Sequence, residues 1–387
     1  MSQVHAFGVP GLGEVVAGED LAASLLGALS QAGTPLLGGD VLVVSSKVVS
    51  KAEGRALVAP GREQAVADQT ARVVAERITP RGPARIVQSR SGPVLAAAGV
   101  DASNVAAGMV LLLPADPDAS ARRLRRDLAA RTGLRLAVVI SDTAGRPWRE
   151  GQADIAIGAA GLIVVEDLRG ASDPYGNPLE VTVRAVADEI AGLADLVKGK
   201  LDGVPAAVVR GLADWVGDAD GPGAATLLRG PGEDWFRLGH VEAVRTALGV
   251  PPGTPGLDPV RVPADGVADR LRRALQVALR APDPFGPGSG AAPGTSVAPD
   301  VEPVDGGAAG ARVQAGALPG SAGRLPGASE ASEASEASEA FALGAAAQRI
   351  AAAAWTEDLV VEIRLDPGPP PALVITARAA PQGPAAP

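Results

Sequence analysis

The sequence predicts a mixed α/β protein of the α+β kind, and three observations predict it. Apolar, β-rich runs of strand length recur: VLVVSSKVVSK at 41–51, LRLAVVIS at 134–141 and PAAVVRG at 205–211. Segments with helical spacing lie between them, such as 20–32, where Leu21, Leu25 and Leu29 share one face and Gly33 follows. Glycine, proline and acidic residues gather where the runs end, as turns require.

The stretch that organises the chain is SDTAGRPWREGQAD at 141–154. A strand ending in Ser-Asp-Thr delivers Asp142 and Thr143 to its carboxyl end, where α/β folds bind ligands. Gly145, Pro147 and Gly151 predict a loop carrying Arg146, Trp148, Arg149, Glu150, Gln152 and Asp154. A carboxylate beside a hydroxyl suits a hard cation such as Mg²⁺ or Mn²⁺. Two nearby arginines suit a phosphate or a carboxylate. A polar surface turn accounts for the same residues equally well.

Composition narrows the function. A chain of 387 residues is long enough for two or three domains. A net charge of -9 and a pI near 5.0 argue against a nucleic-acid partner. The absence of cysteine excludes disulfides, zinc-thiolate sites and thiol nucleophiles. With only 2 histidines, His5 and His240, a Ser-His-Asp triad or a multi-histidine metal centre is disfavoured. No basic segment followed by an apolar one opens the chain, and no apolar run reaches the roughly 18 to 20 residues that span a bilayer. The expectation is a cytoplasmic protein with no membrane partner.

In chain order, residues 4–7 predict a short strand, followed by GVPGLGEVVAGEDL at 8–21. Gly11 and Gly13 allow close approach of backbone N–H groups to a ligand, although an ordinary glycine turn reads the same. No Walker A pattern occurs. The strand at 41–51 offers Ser45, Ser46, Lys47, Ser50 and Lys51 at its end, either a phosphate cradle or a charged surface edge. Residues 63–77 predict an exposed helix. GVDASN at 99–104 places Asp101 in a polar turn before MVLLLP, making Asp101 and Asp142 a candidate metal pair. An arginine-rich helix at 119–132 is capped by Gly133, and 159–170 is an apolar segment leaving through Glu166 and Asp167. The helix before residue 200 carries Asp188, Glu189, Asp195, Lys198 and Lys200, read as a solvated face whose Lys-Gly-Lys end is a second anion candidate. Residues 212–236 form a long Gly/Asp loop, with Arg229 and Asp234 as candidate contacts.

Composition shifts near residue 250. The expected organisation is 1–247 as the main domain, 248–281 as linker and helix, 282–340 as a disordered Pro/Gly/Ser/Ala insertion, 341–378 as a small helix plus β-hairpin, and 379–387 as a tail. The hairpin is too small to stand alone, so it should pack on the helix within 266–281.

SSKVVSKAEGR (45–55), AAGVDASNV (97–105), SDTAGRPWREGQAD (141–154), DPYGNPLEVT (173–182) and VADEIAGLADLVKGK (186–200) occur in one order. In these blocks the chain, over residues 4–246, resembles the coenzyme F420-0:L-glutamate ligases. The resemblance implies that family's own two-lobed α+β ligase fold and an intertwined homodimer. It implies addition of L-glutamate to coenzyme F420-0 or its dehydro form, with GTP as phosphoryl donor and GDP and phosphate as products. Carried over, guanine-nucleotide contacts fall on Leu12, Gly13, Glu14, Val15, Ser46, Lys51 and Asn104. One metal falls on Asp101 and Asp142 and a second on Thr143, with Mg²⁺ or Mn²⁺ expected at both and K⁺ a further candidate ion. Arg146 and Arg149 are added from their chemistry as holders of the acidic substrate or its acyl phosphate, so that Asp142, Lys51, Arg146 and Arg149 form the expected catalytic group.

Two departures stand out. Gly13 replaces a proline frequent in the family. Residues 250–387 are too short for the flavin-binding reductase domain of some bacterial relatives, so no flavin is expected. Two other readings compete: a catalytically silent GTP-binding scaffold, and a ligase for another acidic acceptor.

Overall fold

The computed structural model describes residues 3–58, 61–79, 82–103, 105, 106, 108–230, 233–254, 260, 261, 266–280, 300–304, 307–314, 331–368 and 370–380. It is a mixed α/β chain in two compact units, Met1–Arg72 with Ile86–Asp234, and Val73–Arg85 with Trp235–Pro387. Among the described residues no helix is long and apolar enough to cross a membrane.

The first unit is built on a five-stranded sheet in the order His5–Gly8, Ala206–Arg210, Val41–Ser45, Ala137–Arg146, Arg149–Ala160. Only the pair Val41–Ser45 and Ala137–Arg146 is parallel, with Ser45 beside Ser141. That register brings the ends of both chemistry-bearing strands to one edge. VLVV is apolar at every position because this central strand is buried on both faces. Side chains alternate across a strand with a period of two. Leu42, Val44, Val138, Ile140 and Val208 therefore enter one core with Leu25, Leu29, Leu124 and Leu128. Val41, Val43, Val139 and Val209 enter the other with Ile190, Ala191 and Ala194.

Helix Leu21–Gln31 begins at Asp20, whose carboxylate accepts from the Ala23 amide at 3.1 Å. Helix Pro117–Thr132 starts hard against the last strand, and a Cβ at Gly158 would lie 2.4 Å from the Pro117 carbonyl oxygen. Asp118 staples this corner by accepting from the amides of Ala159 (2.8 Å), Ala224 (2.7 Å) and Ala225 (3.1 Å).

Four local expectations change, the first being the strand read at 41–51: it ends at Ser45, and Ser46–Ala52 is a helix, because the serines and lysine that follow VLVV break the apolar run. The segment after Asp142 is a hairpin rather than a loop: Ala137–Arg146 pairs with Arg149–Ala160 around Pro147 and Trp148. Trp148 takes φ 64 and Gly151 φ 80, so the turn signals mark one tight turn and an adjacent register shift. The helix at 63–77 is shorter, Arg62–Gln69, and the chain continues as strand Thr70–Thr79, where β-branched residues take over. Within 282–340, Val301–Val304 and Ala308–Gln314 are strands and helix Ala331–Trp355 begins inside the Ala-Ser-Glu repeat. Residues 281–299, 305, 306 and 315–330 lie outside the described residues.

Those strands complete the second unit. Its sheet runs Val301–Val304, Ala308–Gln314, Ala372–Ala379, Leu359–Asp366, antiparallel throughout. Leu271 and Leu275 of helix Val267–Arg280 share a core with Ile350, Leu373 and Ile375, the helix-on-hairpin packing that the hairpin's small size required. Composition misjudged 301–314 because each strand is short and its apolar positions count only once paired.

Candidate active site

Asp142 lies where the parallel pair of strands ends. Its Oδ1 accepts from the Ser46 hydroxyl at 2.8 Å, and Ser46 opens helix Ser46–Ala52 directly after the neighbouring strand. Burial pushes the Asp142 carboxyl up to about 6; the Ser46 bond opposes the shift and the charge of Asp154 adds to it. Among the described residues no lysine or arginine forms an ion pair with Asp142.

The next residue of the same turn, Lys47, reaches Asp101 at 2.6 Å and the Ser103 hydroxyl at 2.6 Å. Asp101 also accepts from the Ser103 amide at 2.7 Å. Burial raises the Asp101 carboxyl, but Lys47 and Ser103 outweigh it and hold the group below the ordinary value. Ser46 and Lys47 thus link the two carboxylates that lie far apart in sequence.

Thr143 belongs to the opposite face. It stands across from Asp154 in the hairpin register, whereas Asp142 stands across from Ile155. Its hydroxyl donates to Asp154 at 2.7 Å and accepts from Lys200 at 2.5 Å. Asp154 also accepts from Ser141 (2.8 Å) and from Lys198 (2.5 Å). Burial raises Asp154, yet Lys198 and the two hydroxyls prevail and hold it low. Lys198 is 4% exposed, so the solvated helix face expected here is instead a buried cation. Asp188 departs in the same way: it accepts from the Ala156 amide at 2.9 Å, and burial raises its carboxyl against that bond. The signal for Lys198 lay in the sequence, since Ala187, Ala191, Ala194 and Lys198 continue one buried stripe at spacings of four, three and four.

The expected nucleotide residues are distributed around the same corner. Leu12, Gly13, Glu14 and Val15 form an irregular segment after the first strand, with Val15 buried and Glu14 paired to Lys51 at 2.6 Å. No heavy atom lies within 4 Å of a Cβ built on Gly13, so the space there admits a larger residue. Ser46 is buried with its hydroxyl on Asp142. Asn104 lies outside the described residues. Arg146 and Arg149 face each other across the hairpin turn; Arg146 Nη1 is buried without a hydrogen-bond partner, and Arg149 is exposed.

The donor set fits a hard divalent cation. Among the described residues no cluster of three or more His, Cys, Asp or Glu is arranged around one point. Asp142 and Asp101 with nearby hydroxyls are a partial oxygen set. Mg²⁺ accepts such a set, being commonly held by one or two carboxylates with water and substrate phosphates. The raised Asp142 carboxyl also marks a buried charge that a cation would relieve.

Comparison with known sequences identifies the family. The family described as F420-0:Gamma-glutamyl ligase matches residues 11–59 and 56–211, more than half of the chain. The chain belongs to that family. It is therefore a ligase. The coenzyme F420:L-glutamate ligase of Methanothermobacter thermautotrophicus is 42% identical over 250 residues, covering 60% of this chain and 99% of that protein. Its namesake in Methanopyrus kandleri is 44% identical over 216 residues, 51% of this chain and 86% of its own length. The Halobacterium salinarum enzyme of the same name is 41% identical over 266 residues, 63% and 97%. Between 86% and 99% of the length of these ligases thus aligns with 51% to 63% of this chain.

Proposed function

We propose that this ligase joins L-glutamate to coenzyme F420-0 or its dehydro form, with GTP as phosphoryl donor, in the cytoplasm. The observation that carries the reading is that one short helix binds three candidate carboxylates, Ser46 holding Asp142, Lys47 holding Asp101 and Lys51 holding Glu14. In this reading GTP phosphorylates the acceptor carboxylate, the glutamate amine displaces phosphate from the acyl phosphate, and GDP and phosphate leave. The first glutamate is attached through its α-amino group and later ones through γ-glutamyl links.

Asp142 and Asp101, with the Thr143 hydroxyl turned from Lys200, would hold divalent ions. When bound, such ions would supply positive charge to offset the negative charge that builds during phosphoryl transfer. Lys51 leaves Glu14 to place a point charge on the phosphates. Leu12 to Val15, Ser46 and Asn104 line the nucleotide. Arg146 and Arg149 orient the acidic acceptor, and the buried Arg146 Nη1 supplies an unused donor. The proposal includes the two-lobed fold and intertwined homodimer of these ligases.

The test is GTP consumption by the full chain with Mn²⁺ or Mg²⁺, the deazaflavin precursor and L-glutamate, with product mass followed alongside. GDP release requiring both substrates, with mass rising in glutamate steps, is expected. Tight, metal-dependent GTP binding without turnover would overturn the reading in favour of a silent scaffold. Turnover only with a different carboxylate acceptor would redirect it to another substrate.

A further inference from the structure

The face of the site turned away from Asp142 holds a group that the proposed chemistry does not use. Lys198 and Asp154 are 4% and 5% exposed and lie 2.5 Å apart. A buried pair of this kind is a poor stabiliser, because desolvating both charges offsets their attraction and apolar replacements of similar volume often fold as well. Its geometry is more specific. Asp154 accepts from Ser141 at 2.8 Å and from Thr143 at 2.7 Å, the two residues that bracket Asp142. Lys198 donates to the same Ser141 hydroxyl at 2.8 Å. The strand is irregular here, with a register shift between Ile140 and Ser141, so the ladder by itself holds this end less firmly.

We propose that Lys198 and Asp154 are positioning residues: together they clamp the hydroxyls of Ser141 and Thr143 and thereby aim the Asp142 carboxylate toward Ser46 on the opposite face. Helix Val186–Lys198 is then part of the site, because its last residue closes the clamp. The consequence for turnover rests on the ligase reading; the clamp itself does not.

The experiment uses the full-length protein and two variants. Lys198→Met removes the closer and buried of the two cations beside Asp154, leaving only the exposed Lys200 at 3.7 Å, and is the variant at risk of misfolding. Lys198→Met/Asp154→Asn removes both charges and keeps an amide oxygen to accept from the hydroxyls. The double variant is expected to melt within about 5 °C of the parent. Amide exchange at residues 141–144 should accelerate at least about tenfold while residues 41–44 are unchanged. kcat for GDP release should fall about ten- to a hundredfold with KM for GTP within about twofold, as for other supporting contacts. Parent-like exchange at 141–144 overturns the proposal, and so does a double variant that cannot fold, since the pair is then structural. Faster exchange with an unaltered kcat overturns the claim that the clamp serves catalysis. If the parent itself releases no GDP, the ligase reading falls and the exchange result alone decides the clamp.

Discussion

Removing the charge of Asp142 tests its chemistry and its energetics together. Its folded carboxyl titrates near 6, above the roughly 3.9 of an unfolded aspartate. The folded state therefore holds its proton more tightly. The associated stability is complete below about pH 4 and is lost as pH rises through 6, at most about 3 kcal/mol by pH 7. Asp142→Asn should abolish turnover, yet without metal at pH 7 it should unfold no more easily than the parent and show a flatter pH–stability curve between about 4 and 6. Urea titrations across that range are decisive; a variant less stable at pH 7 would refute the burial argument. Mn²⁺ should raise the melting temperature of the parent and leave that of the variant unchanged, because only a ligand that binds the folded state stabilises it. Lys51→Met should raise KM for GTP at least about tenfold, since a charged hydrogen bond to phosphate contributes about 1.5 to 3 kcal/mol. Its melting point should fall by only a few degrees, because Glu14 stays solvated at 77% exposure and the methionine keeps the apolar stem that packs where Lys51 is 13% exposed. Asp142 stood out in the sequence because it follows an apolar run, whereas Asp101 and Lys51 enter as candidates chiefly through the resemblance. The hydroxyl of Ser46 on Asp142 was not legible, because its partner is 96 residues away.

At the scale of elements, the corner held by Asp118 is the most exposed to a single change. Three backbone amides donate to one buried carboxylate that joins the start of helix Pro117–Thr132, the last strand and the 224–225 turn. Asp118→Ala would leave those N–H groups buried without acceptors and should cost about 3 to 5 kcal/mol in denaturant unfolding. Asp118→Asn keeps one acceptor oxygen and should cost less; equal losses for both would show that the hydrogen bonds are not the cause. The hairpin between Asp142 and Asp154 was read as a loop because Gly145, Pro147 and Gly151 outweighed the alternation around them. Pairing reversed the outcome: Ala144, Ala156 and Ile157 enter cores only once the two strands are joined. Lys198 was misjudged for the converse reason, since a lysine ending an apolar helix face ordinarily reaches solvent.

For the whole molecule, the two units have separate cores, so they should respond separately to damage. Leu275 is 0% exposed in the second core. Leu275→Ala should remove about 2 to 5 kcal/mol from that unit. Calorimetry should show its transition moving down while the transition of the unit that carries Asp142 stays in place. One transition shifting as a block would contradict the division. The aligned length of the relatives stops well short of this chain's 387 residues. In the second unit the helix and β-hairpin of 341–378 were legible from local pattern, while the strands at 301–304 and 308–314 that complete its sheet were not.

The mixed α/β class, the family and the apolar run that leads into Asp142 were all legible in the sequence. These follow from local pattern: a period of two, apolar runs and acidic residues at run ends are properties of neighbours in the chain. Tertiary structure alone decided which groups meet. It turned Asp142 toward Ser46 and Thr143 toward Asp154, and made strands of 301–304 and 308–314. Each of those outcomes depends on residues from 11 to 96 positions apart, or on a strand finding its partner, and such contacts leave no mark on the chain until burial and pairing are complete.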